Sequence, residues 1–119
     1  MANITAAQVL QQVDTLLPNP YTGAEKLRWL AQAEGFVRRE ILAEDGPLPP
    51  LEESAVLCAP APYDELYRHY VEAQIHYANG EMTRYNNAAA AWNNALLTYR
   101  DYYTRTHLPA RGAAALRLC

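Results

Sequence analysis

The sequence predicts an all-α protein, and three observations carry that prediction. Aromatic residues Tyr63, Tyr67, Tyr70, Tyr77, Tyr85, Trp92, Tyr99 and Tyr103 recur in steps close to three, four and seven. At about 100° per residue, Tyr70 and Tyr99 differ by only about 20° around a helix axis, so these rings form one stripe. Two further segments near the N-terminus carry apolar residues at helical spacing behind recognisable caps. The expected architecture is a short first helix, a medium second helix, an extended Pro-rich connector and one long C-terminal helix.

Thr5 can cap the first helix, which runs to about Leu17 with Val9, Leu10, Val13, Leu16 and Leu17 on its buried side. Pro18 and Pro20 stop it, because proline lacks the amide proton and clashes with the preceding turn. Thr22 and Glu25 then form a capping-box pattern, each side chain able to bond the other's backbone amide. The second helix continues to about Ala43. Leu27, Leu30, Val37 and Ile41 give its buried face, broadened by Trp29 and Phe36. Gly46, Pro47, Pro49 and Pro50 end it and open the connector. Within Leu51–Pro62, the apolar run Ala55-Val56-Leu57-Cys58 reads as extended chain lying across the helices; the other reading is a short strand pairing with another subunit. Pro62 fits the first turn of the long helix, and Asp64 and Glu65 favour its positive end. Because the aromatic phase survives Gly80, a single rod from Tyr63 to His107 is expected rather than two helices. Pro109 and Gly112 terminate the structure, so residues 1–109 are read as one helical domain and 110–119 as a flexible tail.

Composition limits the function classes. With 119 residues the chain makes one domain with a modest core. A net charge of -3 argues against a dedicated nucleic-acid binder. Arg105, Arg111 and Arg117 follow Tyr103 with no acidic residue among them, so the tail alone is basic and could meet an acidic partner surface or DNA. Arg outnumbers Lys nine to one, and its planar fork suits interface ion pairs. Cys58 and Cys119 do not make a disulfide framework and read as reduced thiols. Met1–Gln12 lacks the pattern of a signal peptide, Asn3-Ile4-Thr5 is read as an accidental sequon, and no apolar run approaches the ~20 residues a membrane span needs.

Chemistry-bearing clusters are few. His69, Glu72 and His76 share one face of the long helix, opposite the aromatic stripe, at spacings that make them neighbours. Di-metal bundles use such residues, but from several helices at once; the plain reading is a solvated polar face. Gln74 and Glu81 sit seven apart within the apolar stripe, where an unpartnered charge is costly, so Glu81 should meet an Arg, a Tyr hydroxyl or water. They read as hydrogen-bonded core contacts, or as polar contacts fixing register between subunits. Asn79, Asn86 and Asn93 recur every seven residues on a flank of the stripe, and Asn87 and Asn94 likewise on the polar side. They are either a solvated shoulder or side chains bonding across an interface, beside Ala88, Ala91 and Ala95, which allow close helix approach. Nine tyrosines fit an interface as well, since Tyr pairs apolar area with a polar tip. Phosphate loops, nucleophile elbows and paired metal-binding cysteines are absent, so no enzyme, cofactor or metal is implied.

Several stretches resemble a family of small tailed-phage and prophage proteins. They are Pro62-Tyr63-Asp64-Glu65-Leu66-Tyr67, Glu72-Ala73-Gln74-Ile75, Asn79-Gly80-Glu81, Arg84-Tyr85-Asn86-Asn87 and Tyr103-Thr104-Arg105-Thr106-His107-Leu108-Pro109. Asn19-Pro20-Tyr21 and Glu25-Lys26-Leu27-Arg28-Trp29-Leu30 are similar to that family's N-terminal half. The resemblance spans most of the chain except the Gly46–Ala61 connector and the last ten residues. It implies a helical head–tail adaptor, or head completion protein. Such a subunit forms a ring, typically twelvefold, beneath the portal, assembled in the bacterial cytoplasm and carried in the virion neck. The implied partners are other copies, the portal protein and stopper or tail proteins, with non-specific contact to DNA in the channel as a further possibility. No catalytic residues come with the resemblance. The Ala88–Ala91 segment and the Ala-rich tail depart from the family pattern.

The resulting expectation is that the two shorter helices cover part of the stripe and neighbouring copies or a portal ring cover the rest. Tyr70, Gln74, Tyr77, Glu81, Tyr85, Trp92, Tyr99 and Tyr103 are the packing and interface candidates, in heterologous contacts that close a ring. Two other functions compete: a small DNA-associated packaging accessory factor, and a helical metal-dependent enzyme built on His69, Glu72 and His76.

Overall fold

A computed structural model describes residues 3–107. Among them the chain is all-α: α1 (Ala6–Leu16), α2 (Gly23–Phe36) continued by a π-helical turn (Val37–Ile41), α3 (Glu65–Ala78) and α4 (Met82–Thr106).

Both N-terminal caps form as reciprocal boxes. Thr5 Oγ1 accepts from the Gln8 amide at 3.2 Å while the Gln8 side chain accepts from the Thr5 amide at 2.9 Å. Thr22 and Glu25 do the same, both at 3.1 Å. Each box satisfies two amides that a helix start leaves without partners. α1 buries Ala6, Val9, Leu10 and Val13. Leu16, expected on that side, is instead 62% exposed, because the helix ends there and the chain turns away at Leu17. α2 stops seven residues short of the expected Ala43 as a regular helix. Its last turn widens, with the Leu42 amide donating to the Val37 carbonyl at 3.1 Å, and the chain leaves through Ala43 in the left-handed region (φ +55°).

The connector between Ile41 and α3 is irregular and crosses the start of α1. Val56 pairs with Thr5 in an isolated antiparallel bridge, and the Leu57 amide donates to the Ile4 carbonyl. The Ala6 and Ala7 amides, unpaired within α1, donate to the Ala55 and Glu53 carbonyls, each at 2.9 Å. The apolar run that could have paired with another subunit is thus used within the chain, and Leu57 and Ala59 are buried. Pro62 lies in the turn ahead of α3 rather than in its first turn; the N-cap residue is Asp64.

The expected single rod is not formed. The chain reverses at Asn79-Gly80-Glu81, and α3 and α4 pack as an antiparallel hairpin. Gly80 takes φ +78°. Its amide donates to the Tyr77 carbonyl at 3.0 Å, and the Glu81 amide donates to the His76 carbonyl at 2.9 Å. That pair of bonds is the Schellman ending, which uses a left-handed residue just past the helix. The unbroken aromatic phase misleads because the rings are mirrored about Glu81: Tyr77 and Tyr85, Tyr70 and Trp92, and Tyr63 and Tyr99 lie four, eleven and eighteen residues either side of it. A hairpin folded there brings each pair together, with ring centroids 5.2, 4.9 and 5.7 Å apart.

α3 is the central helix, contacting α1, α2 and α4. Leu66, Tyr67, Val71, Ala73 and Ile75 are buried along it. α4 is the edge helix, packed mainly on α3, with the π-helical turn and Phe36 of α2 also against it, and it buries Trp92 and Tyr99. Pro109 and the tail read as flexible, residues 110–119, lie outside the described residues.

Candidate functional site

The aromatic stripe is largely consumed by the hairpin. Trp92 and Tyr99 are buried and Tyr70, Tyr85 and Tyr103 half-buried. Tyr70 lies between α2 and α4: its ring meets Trp92 edge-on and Phe36 at 6.1 Å, and its hydroxyl donates to Gln32 Oε1 at 2.8 Å. Tyr63 stacks on Tyr102 at 4.5 Å, and Tyr103 stacks on His107 at 3.8 Å. Tyr77 alone of the stripe is substantially exposed, at 59%, beside exposed Met82 at the hairpin tip.

Gln74 is half-buried on α3. Glu81 is not inside an apolar seam. It is the N-cap residue of α4, partly exposed at the turn, with Oε1 2.8 Å from His76 Nδ1 and Oε2 3.5 Å from Arg84. The hydrogen bonds from His76 and then Asn79 hold its carboxyl below the usual carboxylate range. Asn79 also accepts from the Tyr21 hydroxyl at 2.6 Å, tying the turn to the start of α2.

His69, Glu72 and His76 do not converge. The face expected to be solvated is packed, because α3 is surrounded, and all three residues are half-buried. Arg68 Nη1 donates to both Glu72 oxygens at 3.2 Å and Arg68 also pairs with Glu65. His76 turns to Glu81. Burial, with Arg68 nearby, lowers the His69 pKa below its ordinary value. Among the described residues no group of three or more His, Cys, Asp or Glu could hold a metal ion.

The asparagine rows separate. Asn79 is engaged at the turn, whereas Asn86, Asn87, Asn93 and Asn94 are exposed on the side of α4 away from α3, and their side chains make no hydrogen bond among the described residues. From Tyr85 to Tyr99 the helix carries no charged residue over fifteen positions. Leu97, 45% exposed, and Ala90 lie on the same outer face. Arg105 is exposed at the end of α4; Arg111 and Arg117 lie outside the described residues.

One polar cluster was not read from the sequence. Glu34 is 4% exposed yet sits on the core side of α2. Its Oε1 accepts from the Tyr67 hydroxyl at 2.6 Å and its Oε2 from the Cys58 amide at 3.0 Å, with Arg38 Nε 3.7 Å away. The Ala59 amide donates to the Tyr67 oxygen at 2.9 Å. Burial, then the Glu34 charge, pushes the Cys58 thiol up to about 12 and the Tyr67 phenol higher still above its ordinary value. Both stay protonated at neutral pH, so the cluster offers hydrogen bonds and no nucleophile. Lys26, the only lysine, is likewise buried and pairs with Asp14, joining α2 to α1. The available signal was phase: Glu34 falls between Leu30, Ala33 and Val37 on the buried side.

Two of the surface grooves among the described residues lie beside the elements above. One, of about 700 Å³, is open and lined by polar residues of α1 together with Asp64, Glu65 and Arg68. The other, of about 440 Å³, lies over Phe36, Leu48 and Tyr70. Neither brings a nucleophile to a base.

No protein-family model, curated protein or solved structure matches this chain. No helix among the described residues is long and apolar enough to cross a membrane.

Proposed function

We propose that this chain is a virion structural protein: a helical head–tail adaptor subunit that assembles as a ring on the phage portal in the virion neck. The observation that carries the reading is the outer face of α4 between Tyr85 and Tyr99, which carries no charge although exposed Asp101 and Arg105 follow it on the same helix. A surface helix ordinarily carries charged residues on its solvent side, while interface centres are depleted of charge. Here Asn86, Asn87, Asn93 and Asn94 present amides that make no hydrogen bond among the described residues around Ala90 and Leu97, an arrangement suited to contact with protein. The phage-family resemblance adds to this, because most of its motifs fall on the α3–α4 hairpin and its turn. Tyr77 and Met82 extend the available contact to the hairpin tip. No residue is assigned a catalytic role.

The test is binding to the cognate portal ring, read by mass photometry. The expected outcome is a complex of integral stoichiometry that forms on the ring and weakens when Leu97→Glu is introduced. Protein that ignores the portal at every concentration would overturn the reading. Salt-sensitive binding to duplex DNA without portal binding would favour a packaging accessory factor, with Arg105 as one contact.

A further inference from the structure

We infer that the groove between α1 and the start of α3 is the docking site of this chain's own C-terminal segment, residues 108–119, with Arg111 paired to Asp64. The groove is open, of about 700 Å³, and walled by Gln11, Gln12, Thr15 and Leu16 of α1 and by Asp64 ahead of α3. Asp64 is the residue that asks for a partner. It stands at the N-cap of α3, where a carboxylate ordinarily accepts from amides of the first turn. Here its backbone is already helical (φ -69°, ψ -7°) and its side chain makes no capping bond. Among the described residues that side chain has no hydrogen bond or ion pair, since Arg68 beside it is taken by Glu65 and Glu72. Burial, then the Glu65 charge, raises the Asp64 pKa above its ordinary value, as expected of a half-buried carboxylate without a cation.

The cation is carried by the segment that leaves α4 nearby. Tyr63, next to Asp64, stacks on Tyr102 at 4.5 Å, and α4 ends at Thr106, so the chain leaves the described residues beside the start of α3. Arg111 lies four residues beyond His107. Four extended residues reach about 13 Å, enough to cross a helix about 10 Å wide. The charges are complementary. Residues 108–119 carry Arg111 and Arg117 and no acidic residue; subtracting these two from the net charge of -3 leaves residues 1–107 at -5. Glu53 adds to the acidic side, because its carbonyl accepts from the Ala7 amide, one residue from Gln8 on the groove wall. Leu16, 62% exposed, offers apolar contact to Leu116 and Leu118. Gln11 and Gln12 are exposed and make no side-chain hydrogen bond among the described residues; their amides can bond a backbone laid along them. A tethered segment meets such a groove at roughly millimolar effective concentration, so a contact too weak between separate molecules is populated within one chain. The groove over Phe36 and Tyr70 is a poorer host. It lies by Trp92, fifteen residues or about 22 Å back along α4 from His107. Docking withholds Arg111 and Arg117 from DNA or an acidic partner until the segment is displaced.

This docking does not rest on the adaptor reading and leaves the outer face of α4 to it. The experiment is paramagnetic relaxation enhancement by NMR on the full chain carrying Cys58→Ala, with a nitroxide on Cys119. The amides of Gln11, Gln12 and Thr15 should lose intensity, and those of Asn86 and Asn93 should not. Arg111→Asp should abolish the loss, and so should Asp64→Arg. Joining the two substitutions should restore it, since the pair is then re-formed with its charges exchanged. The unmodified chain gives a second reading: Arg111→Asp should shift the amide signals of Asp64, Gln11 and Gln12 without changing the melting temperature. Loss spread evenly over the surface, loss centred on Phe36 and Tyr70, or loss unaffected by Arg111→Asp together with unshifted amides would overturn the inference. So would loss in an isotope-labelled chain without nitroxide when it is mixed with an unlabelled chain that carries it, which would assign the groove to a second copy.

Discussion

Glu34 is a carboxylate at a position where its neighbours in phase are Leu30, Ala33 and Val37. Such a group is costly to bury unless its oxygens are bonded. Here one oxygen takes the Tyr67 hydroxyl and the other the Cys58 amide, so a single side chain of α2 holds both α3 and the connector. The Tyr67 oxygen in turn accepts from Ala59. Removing it leaves a carboxylate oxygen and an amide without partners while keeping the ring's packing. Tyr67→Phe should therefore destabilise the fold by about 2 kcal/mol, within the usual cost of unsatisfied buried groups, measured by urea unfolding. An unchanged midpoint would mean that water replaces the hydroxyl without loss.

At the scale of elements, the hairpin is decided by one turn. Gly80 holds φ +78°, and a Cβ placed there would meet nothing within 4 Å. The cost of a side chain at this position is thus conformational rather than steric. Gly80→Ala should destabilise the protein by about 1–2 kcal/mol, seen as a lower denaturant midpoint with α3 and α4 retained in the circular dichroism spectrum. A rise in stability would show that the turn can shift out of the left-handed region. The hairpin also explains the three ring pairs across its seam, which supply apolar area and preferred aromatic geometry together. Asparagine at α4's outer positions has no such packing role. It is a mediocre helix former left facing outward, which is why that face, rather than the aromatic stripe, is the candidate for contact with other chains.

At the scale of the molecule, α3 is enclosed on three sides, and this sets the response to acid. His69 titrates below its ordinary value because burial disfavours its charged form. The unfolded chain therefore binds this proton at higher pH than the folded one does. The stabilisation is present above about pH 6.5 and is lost as pH falls through the folded pKa. Glu65 and Glu81, whose carboxyls are held low by Arg68 and His76 respectively, act in the same direction below about pH 4.5. Stability should be level near neutrality, decline below pH 6.5, and decline again in the carboxylate range. His69→Gln should remove the first decline and leave the second, as followed by melting temperature against pH. A profile with both steps intact in the variant would assign the upper step to another group.

Much of the local structure was legible because it depends on residues close in the chain. The Thr5 and Thr22 caps, the proline stop after α1, and the burial of Val9, Leu10, Val13, Leu30, Val37 and Ile41 follow from spacing and side-chain chemistry within a turn or two, whereas Leu16 and Phe36, read on the same sides, are exposed. The aromatic stripe was legible too, as a set of rings on one face. What covers that face was not. A seven-residue repeat has the same phase on a straight rod as on a hairpin folded about Glu81, so periodicity could not distinguish them. Only the left-handed turn at Gly80 and the ring pairs that it closes decided the matter. The same holds for Glu34, Tyr67 and Cys58, and for His69, Glu72 and His76. Spacing states which residues share a helix face. The packing of other elements on that face decides whether a carboxylate is buried and bonded, a histidine's pKa is lowered, or an asparagine is left exposed.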